Sequence, residues 1–98
     1  MDITVKQDGK NAVVSLCGRL DTNTAPSLEE KLSALYGNIT NLEFDFEKLE
    51  YVSSAGLRVL LSAQKNMNTC GTMVIKNVAE AIMEVFEITG FTDVLNIE

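Results

Sequence analysis

The feature that most constrains this chain is a change of hydrophobic period near its middle. Leu42-Glu43-Phe44-Asp45-Phe46-Glu47 alternates apolar and acidic residues, the two-residue period of a strand with one buried face. Further on, apolar residues recur at Val59, Leu60, Ala63 and Met67, which is helical spacing. The segment Val52-Ser53-Ser54-Ala55-Gly56 is therefore the joint between a strand end and a helix start. The first N–H groups of a helix have no partner inside it, and Ser53 is placed to cap them. Val52 then lies at N′ and Leu57 at N4, the positions of a hydrophobic staple. Ser54 becomes the first helical residue, its hydroxyl at the positive end of the helix, where free N–H groups and the macrodipole favour negative charge. A serine there is either a residue of the capping region or a place to put a phosphate. A one-residue shift of the helix start exchanges the roles of Ser53 and Ser54.

The flanking chain reads as strands alternating with helices. Ile3 to Lys6 alternates, Asp8-Gly9 is a hairpin turn signal, and Ala12 to Cys17 forms the antiparallel partner strand. Gly18-Arg19-Leu20-Asp21 leaves that strand, and Thr22-Asn23-Thr24 is turn and cap chemistry, with Thr24 as N-cap and Pro26 in the first turn. Ala25, Leu28, Leu32 and Leu35 share one face of the first helix, which Gly37 ends. The next strand covers Leu42 to Phe46. The second helix runs from about Ser54 to Thr69, with Arg58, Ser62, Lys65 and Asn66 on its wet side and Gly71 as the stop signal. Gly56 near its start costs about 1 kcal/mol of helix propensity, which points to a close backbone approach. Thr72 to Lys76 reads as a strand. Asn77 with Glu80 resembles a capping box, opening a third helix that turns Ala81, Ile82, Val85 and Phe86 inward and stops before Gly90. Phe91 packs back over its last turn, and Val94-Leu95 forms a short final strand. The fold class is α/β: one domain over residues 1–98, a mixed sheet with an opening antiparallel hairpin followed by βαβ units, helices packed on one face. The joint at Ser53-Ser54 then lies outside the carboxyl end of a strand, a common place for sites in open α/β sheets.

The residue inventory excludes much chemistry. The chain of 98 residues has no histidine, which removes Ser–His–Asp and Cys–His arrangements and histidine phosphotransfer. No cluster has metal-ligand spacing, and there is neither a Walker A loop nor a GxGxxG run, so no metal or cofactor is expected. Asp45 and Glu47 point the same way along an alternating strand and read as a solvated strand edge rather than an acid/base pair. With 14 acidic against 8 basic residues the net charge is −6, which argues against a nucleic-acid backbone as partner. The apolar runs are far shorter than the roughly 20 residues that span a bilayer, and Met1 to Thr4 carries no basic or apolar leader pattern. A cytoplasmic protein with reduced Cys17 and Cys70 serving as small apolar fillers is expected. Met67, Met73 and Met83 read as core or edge packing. What remains is a surface that can be modified and recognised. Asp21 either ties up the turn by Asx-type hydrogen bonding or touches a partner.

Val52-Ser53-Ser54-Ala55-Gly56-Leu57 followed by Val59-Leu60-Leu61, with the earlier Gly18-Arg19-Leu20-Asp21 leading through Thr24-Ala25-Pro26 into a helix, resembles the signature of STAS domains, in particular bacterial anti-sigma factor antagonists. The resemblance covers nearly the whole chain in order. It implies a protein that binds an anti-sigma factor which is also a serine kinase, and so frees a sigma factor. The kinase phosphorylates a serine at this helix start, which ends the interaction, and a PP2C-type serine phosphatase removes the phosphate. Position by position, the acceptor falls on Ser54, the family's glycine on Gly56 and its aspartate after the second strand on Asp21. The chain departs from the family's frequent Asp-Ser-Ser-Gly, having Ser53 at the aspartate position and Ala55 in place of the second serine. Asp21, Thr22, Asn23, Tyr51, Val52, Ser53, Ala55, Gly56 and Arg58 are the positions expected to contact a partner around Ser54. The alternative is a STAS ligand-sensing or scaffold module that works without phosphorylation; a hydrolase with Ser54 as nucleophile is a third reading.

Overall fold

The computed structural model describes residues 1–98. Eight elements follow one another: β1 (Asp2–Asp8), β2 (Asn11–Leu20), α1 (Ala25–Leu35), β3 (Asn41–Val52), α2 (Ser54–Cys70), β4 (Thr72–Lys76), α3 (Glu80–Thr89) and a 3₁₀ turn (Phe91–Asp93). The strands form one sheet in the order β1-β2-β3-β4, with β1 antiparallel to β2 and β2, β3 and β4 mutually parallel. Parallel neighbours require crossovers, and α1 and α2 supply them.

Alternation decides which face of the sheet is covered. Val14, Phe44 and Ile75 stand in register across three strands and are all buried, while their successors Ser15, Asp45 and Lys76 form the neighbouring row on the opposite face. The buried row joins Leu28 and Leu32 of α1, Leu60, Ala63 and Met67 of α2, and Ile82 and Phe86 of α3 in a single core of 24 residues. Phe44 and Phe46 are fully buried, with ring centroids 5.6 Å apart, and each burial of that size is worth about 1.5–3 kcal/mol. All three helices thus lie on one face, as the sequence predicts, and the other face is open. Val5 sits on the covered side opposite Val14 yet is 37% exposed, because the helices do not extend over the outer strand.

Strand β3 runs six residues beyond Phe46, where its alternation ends. The cause is two register shifts against β2. Ser15 pairs with Asp45 and Cys17 with Lys48; Gly18 pairs with Leu49 and Arg19 with Tyr51. Each shift inserts one extra residue on β3, and each extra residue restores the inward orientation: Phe46, Leu49 and Val52 are buried at a spacing of three. Lying between β2 and β4, β3 is an inner strand, and its carboxyl end reaches the joint.

Other boundaries differ from the sequence reading. Asn77 does not cap α3; it adopts φ 60° and its amide donates to Asp45 Oδ1 at 2.9 Å, so the helix starts at Glu80 behind Ala79 without a side-chain cap. Ala81 is exposed, one residue round from the inward face of Ile82 and Phe86. Residues 94–95 are not a strand; they follow the 3₁₀ turn of Phe91–Asp93, and the chain then returns to the sheet as a parallel bridge of Ile97 to Ile75. Cys17 and Cys70 are exposed thiols rather than core fillers: Cys17 follows buried Leu16 and so faces the open side. Met67 and Met73 are buried and Met83 packs against the core.

Candidate functional site

The site is built where β2 and β3 end together. Leu20 and Val52 are the last paired residues of the two strands, and Ser53 N–H donates to the Leu20 carbonyl at 2.8 Å. Beyond this pair the chains part, β2 into the Asp21–Thr24 turn and β3 into α2. Ser53 is extended (φ −95°, ψ 175°), and its hydroxyl oxygen accepts from Gly56 N–H at 3.3 Å while its carbonyl accepts from Leu57 N–H at 2.9 Å. Ser53 is thus the N-cap and its hydroxyl is occupied. Val52 and Leu57, the two staple positions, are both buried in the core.

Ser54 follows as the first residue of α2 and is exposed. The N–H groups of Ser54 and Ala55 have no acceptor in the protein, as expected of a first helical turn whose cap satisfies only one donor. The hydroxyl therefore stands in water beside two unpaired donors at the positive end of a 17-residue helix. Gly56 lets the helix start sit directly on the strand ends: a Cβ there would lie 2.7 Å from Leu20 Cγ and 3.0 Å from Val52 Cγ2. Gly71 does the same at the other end, where a Cβ would strike the Thr40 carbonyl oxygen. Both ends of α2 are seated by glycines in close approach, which holds Ser54 in a defined place.

The Asp21 turn forms the second wall. Asp21 Oδ1 accepts from Asn23 N–H at 3.0 Å and Thr24 N–H at 3.1 Å, the Asx pattern. Thr24 does not cap α1 through its side chain, as the sequence suggests; its hydroxyl accepts from Asp21 N–H at 2.8 Å and donates to the Arg19 carbonyl at 2.8 Å, locking the turn instead. Partial burial works to raise the Asp21 pKa. The N–H groups of Thr24 and Asn23, the Thr24 hydroxyl and the Arg19 charge outweigh it, and the carboxyl lies below its ordinary value. Arg19 lies 4.1 Å above the Tyr51 ring centroid and 3.9 Å from Asp21 Oδ2. The second register shift places Arg19 opposite Tyr51, so this stack is a product of the sheet and has no signal in the linear sequence.

The ten candidate positions divide by accessibility. Thr22, Asn23, Tyr51, Ser54 and Arg58 are exposed, and Asp21, Ser53 and Ala55 are half-buried. Val52 and Gly56 are buried: they lie beneath the surface as the seat of the helix. A groove of about 380 Å³ runs between Thr22, Pro26 and Glu29 on the α1 side and Ala55 and Arg58 on α2. Glu29, an exposed residue outside the buried face of α1, is a lining residue that the linear sequence does not single out. Asp45, read as a strand-edge residue, lies on an inner strand and is half-buried. The Asn77 amide and then the Glu47 N–H lower its pKa, against the effect of burial. No three His, Cys, Asp or Glu side chains converge as metal ligands, and no helix is long and apolar enough to cross a membrane.

Residues 3–96 match the family model described as "Mlab, STAS domain". The chain is 30% identical over 98 residues to the anti-sigma-B factor antagonist of Bacillus subtilis (strain 168), covering 99% of this chain and 90% of that protein. Among solved structures, an anti-sigma factor antagonist from Mycobacterium paratuberculosis superposes with a TM-score of 0.88 at 23% identity, covering 98% of this chain and 83% of that one. The Bacillus cell fate determinant SpoIIAA in its phosphorylated form superposes with a TM-score of 0.79 at 20% identity, covering 99% and 91%. These two share the fold, and the relatives bear the names of regulatory binding proteins rather than enzymes. With nearly the whole chain matched by the family model, and a close-length relative at this identity, the chain belongs to the STAS-domain family of anti-sigma factor antagonists.

Proposed function

We propose that this protein binds an anti-sigma factor that is also a serine kinase, through the surface around α2's start, and is released when that kinase phosphorylates Ser54. The observation that carries this reading is the exposed Ser54 hydroxyl beside the unpaired N–H groups of Ser54 and Ala55. The kinase transfers the γ-phosphoryl group of ATP to Ser54 Oγ, which loses its proton, and ADP leaves. The product carries about −1.5 to −2 charges and three acceptor oxygens. The helix N-terminus stabilises it by typically 0.3–1 kcal/mol, so the domain accepts the group without refolding. A partner packed over the joint faces desolvation of a dianion beside Asp21 and Glu29, and each 1.4 kcal/mol lost weakens binding about tenfold. A PP2C-type phosphatase resets the switch, and the site of action is the cytoplasm, where ATP is available to the kinase. Between the two serines, Ser54 is the better acceptor, since Ser53's hydroxyl is engaged as the cap.

Incubation with the cognate kinase and Mg-ATP, followed by peptide mapping, tests the assignment. Phosphate is expected on Ser54, absent in Ser54→Ala, with partner binding weakened at least tenfold in Ser54→Asp. An unlabelled Ser54 together with full-strength binding by Ser54→Asp would refute it and favour the scaffold reading.

A further inference from the structure

We propose that Arg58 is the built-in counter-charge for a phosphate on Ser54, so that modification both adds a dianion at the joint and withdraws Arg58 from the surface offered to a partner. This rests on the reading that Ser54 carries phosphate.

Ser54 and Arg58 are the first and fifth residues of α2, and both are exposed. Residues four apart on a helix are neighbours, with Cβ atoms about 5–6 Å apart, and an anion placed N-terminal to its cation is the favourable order. Helical side chains lean toward the N-terminus, so the surface Arg58 covers is the turn that holds Ser54. The guanidinium is unengaged: the two ion pairs of the protein are Arg19–Asp21 and Lys76–Glu43. The charged groups that share its surroundings are Glu29, across the groove on α1, and Lys65, further along α2. Of the two acidic groups beside the joint, Asp21 is paired with Arg19, and Glu29 makes no ion pair with Arg58. A phosphate one turn away offers more charge and a planar guanidinium can grip it through two parallel N–H bonds, while the free Ser54 and Ala55 N–H groups supply further donors on the other side. In the unmodified protein the same guanidinium is free to meet a partner's carboxylate. Phosphorylation therefore acts twice on one interface, once by repulsion and once by removing a cation.

The test uses the full chain with phosphoserine inserted at position 54 during translation, so that no kinase is involved, in the wild-type, Arg58→Lys and Arg58→Gln backgrounds. The second ionisation of the phosphate is followed by ³¹P NMR. At low salt it is expected to lie about 0.3 unit lower with arginine than with glutamine, with lysine between, and the difference is expected to vanish near 1 M salt. The Arg58 Nε–H resonance is expected to move on phosphorylation. Coincident titrations for arginine and glutamine, with that resonance unmoved, would overturn the proposal while leaving kinase-dependent release of the partner intact. Conversely, a clamp seen here with no kinase labelling of Ser54 would refute the signalling reading alone.

Discussion

Gly56→Ala isolates the packing that holds the site in place. In an ordinary helix interior the substitution stabilises, by about 1 kcal/mol, through helix propensity. Here the added methyl would lie 2.7 Å from Leu20 Cγ and 3.0 Å from both Leu20 Cδ2 and Val52 Cγ2. Leu20 is fully buried and Val52 is 5% exposed, and Cγ is the branch point of Leu20, so rotation of a chain end does not relieve the contact. Overpacking of this kind costs about 1–3 kcal/mol, which exceeds the propensity gain. The expected net loss is about 1 kcal/mol, or roughly 4–8 °C in Tm for a domain of this size. Urea unfolding followed by circular dichroism measures it, and the same substitution in a Leu20→Ala background supplies the control. Removing Leu20 Cγ and Cδ2 removes the two atoms in closest conflict, so there the alanine is expected to be neutral or stabilising, giving a coupling of about 1–2 kcal/mol. A rise in stability on Gly56→Ala in the wild-type background, or the same change in both backgrounds, would refute the seating of α2 on the strand ends.

Gly71→Ala is expected to lose more, about 3 kcal/mol, because its methyl would strike the backbone carbonyl of Thr40, which accepts from Thr72 N–H at 2.8 Å; the same urea titration measures it. Ser53→Ala should cost about 1 kcal/mol through loss of the cap to Gly56 N–H, and Ser53→Asp should restore most of it; equal stability of all three would contradict the capping assignment. Asp21 and Asp45 both have lowered pKa values in the folded protein, so each contributes stability that is present above its unfolded pKa, near 3.8, and lost as pH falls through the lower folded value. Acid unfolding below about pH 4 should therefore be shallower in Asp21→Ala and Asp45→Ala than in the wild type, and identical pH profiles would show that these carboxyls are not engaged.

Much of the architecture is legible from local signals. The β3 alternation, the helical spacing through Val59, Leu60, Ala63 and Met67, and the capping chemistry of Ser53 place the joint within one residue of its observed position. These signals are strong because each side chain's role is set by neighbours a few residues away. The misreadings occur where a distant contact competes. Asn77 has the composition of an N-cap, yet its amide is drawn to Asp45, 32 residues away. Thr24 follows local rules only in part, its hydroxyl bonding to Arg19 on the strand end. The end of β3 escapes a period-two reading because each register shift carries the inward position to the third residue.

From its own residues the chain determines that it is one α/β layer pair with a serine at a helix start and little catalytic equipment, because periodicity, capping and residue inventory are local properties. The tertiary structure decides how the residues around that serine are disposed: Val52 and Gly56 sink beneath the surface, Arg19 stacks on Tyr51, and Glu29 lines a groove with Arg58. Those relations depend on where two parallel strands end relative to each other, and strand register is settled by packing between segments about 30 residues apart in the chain.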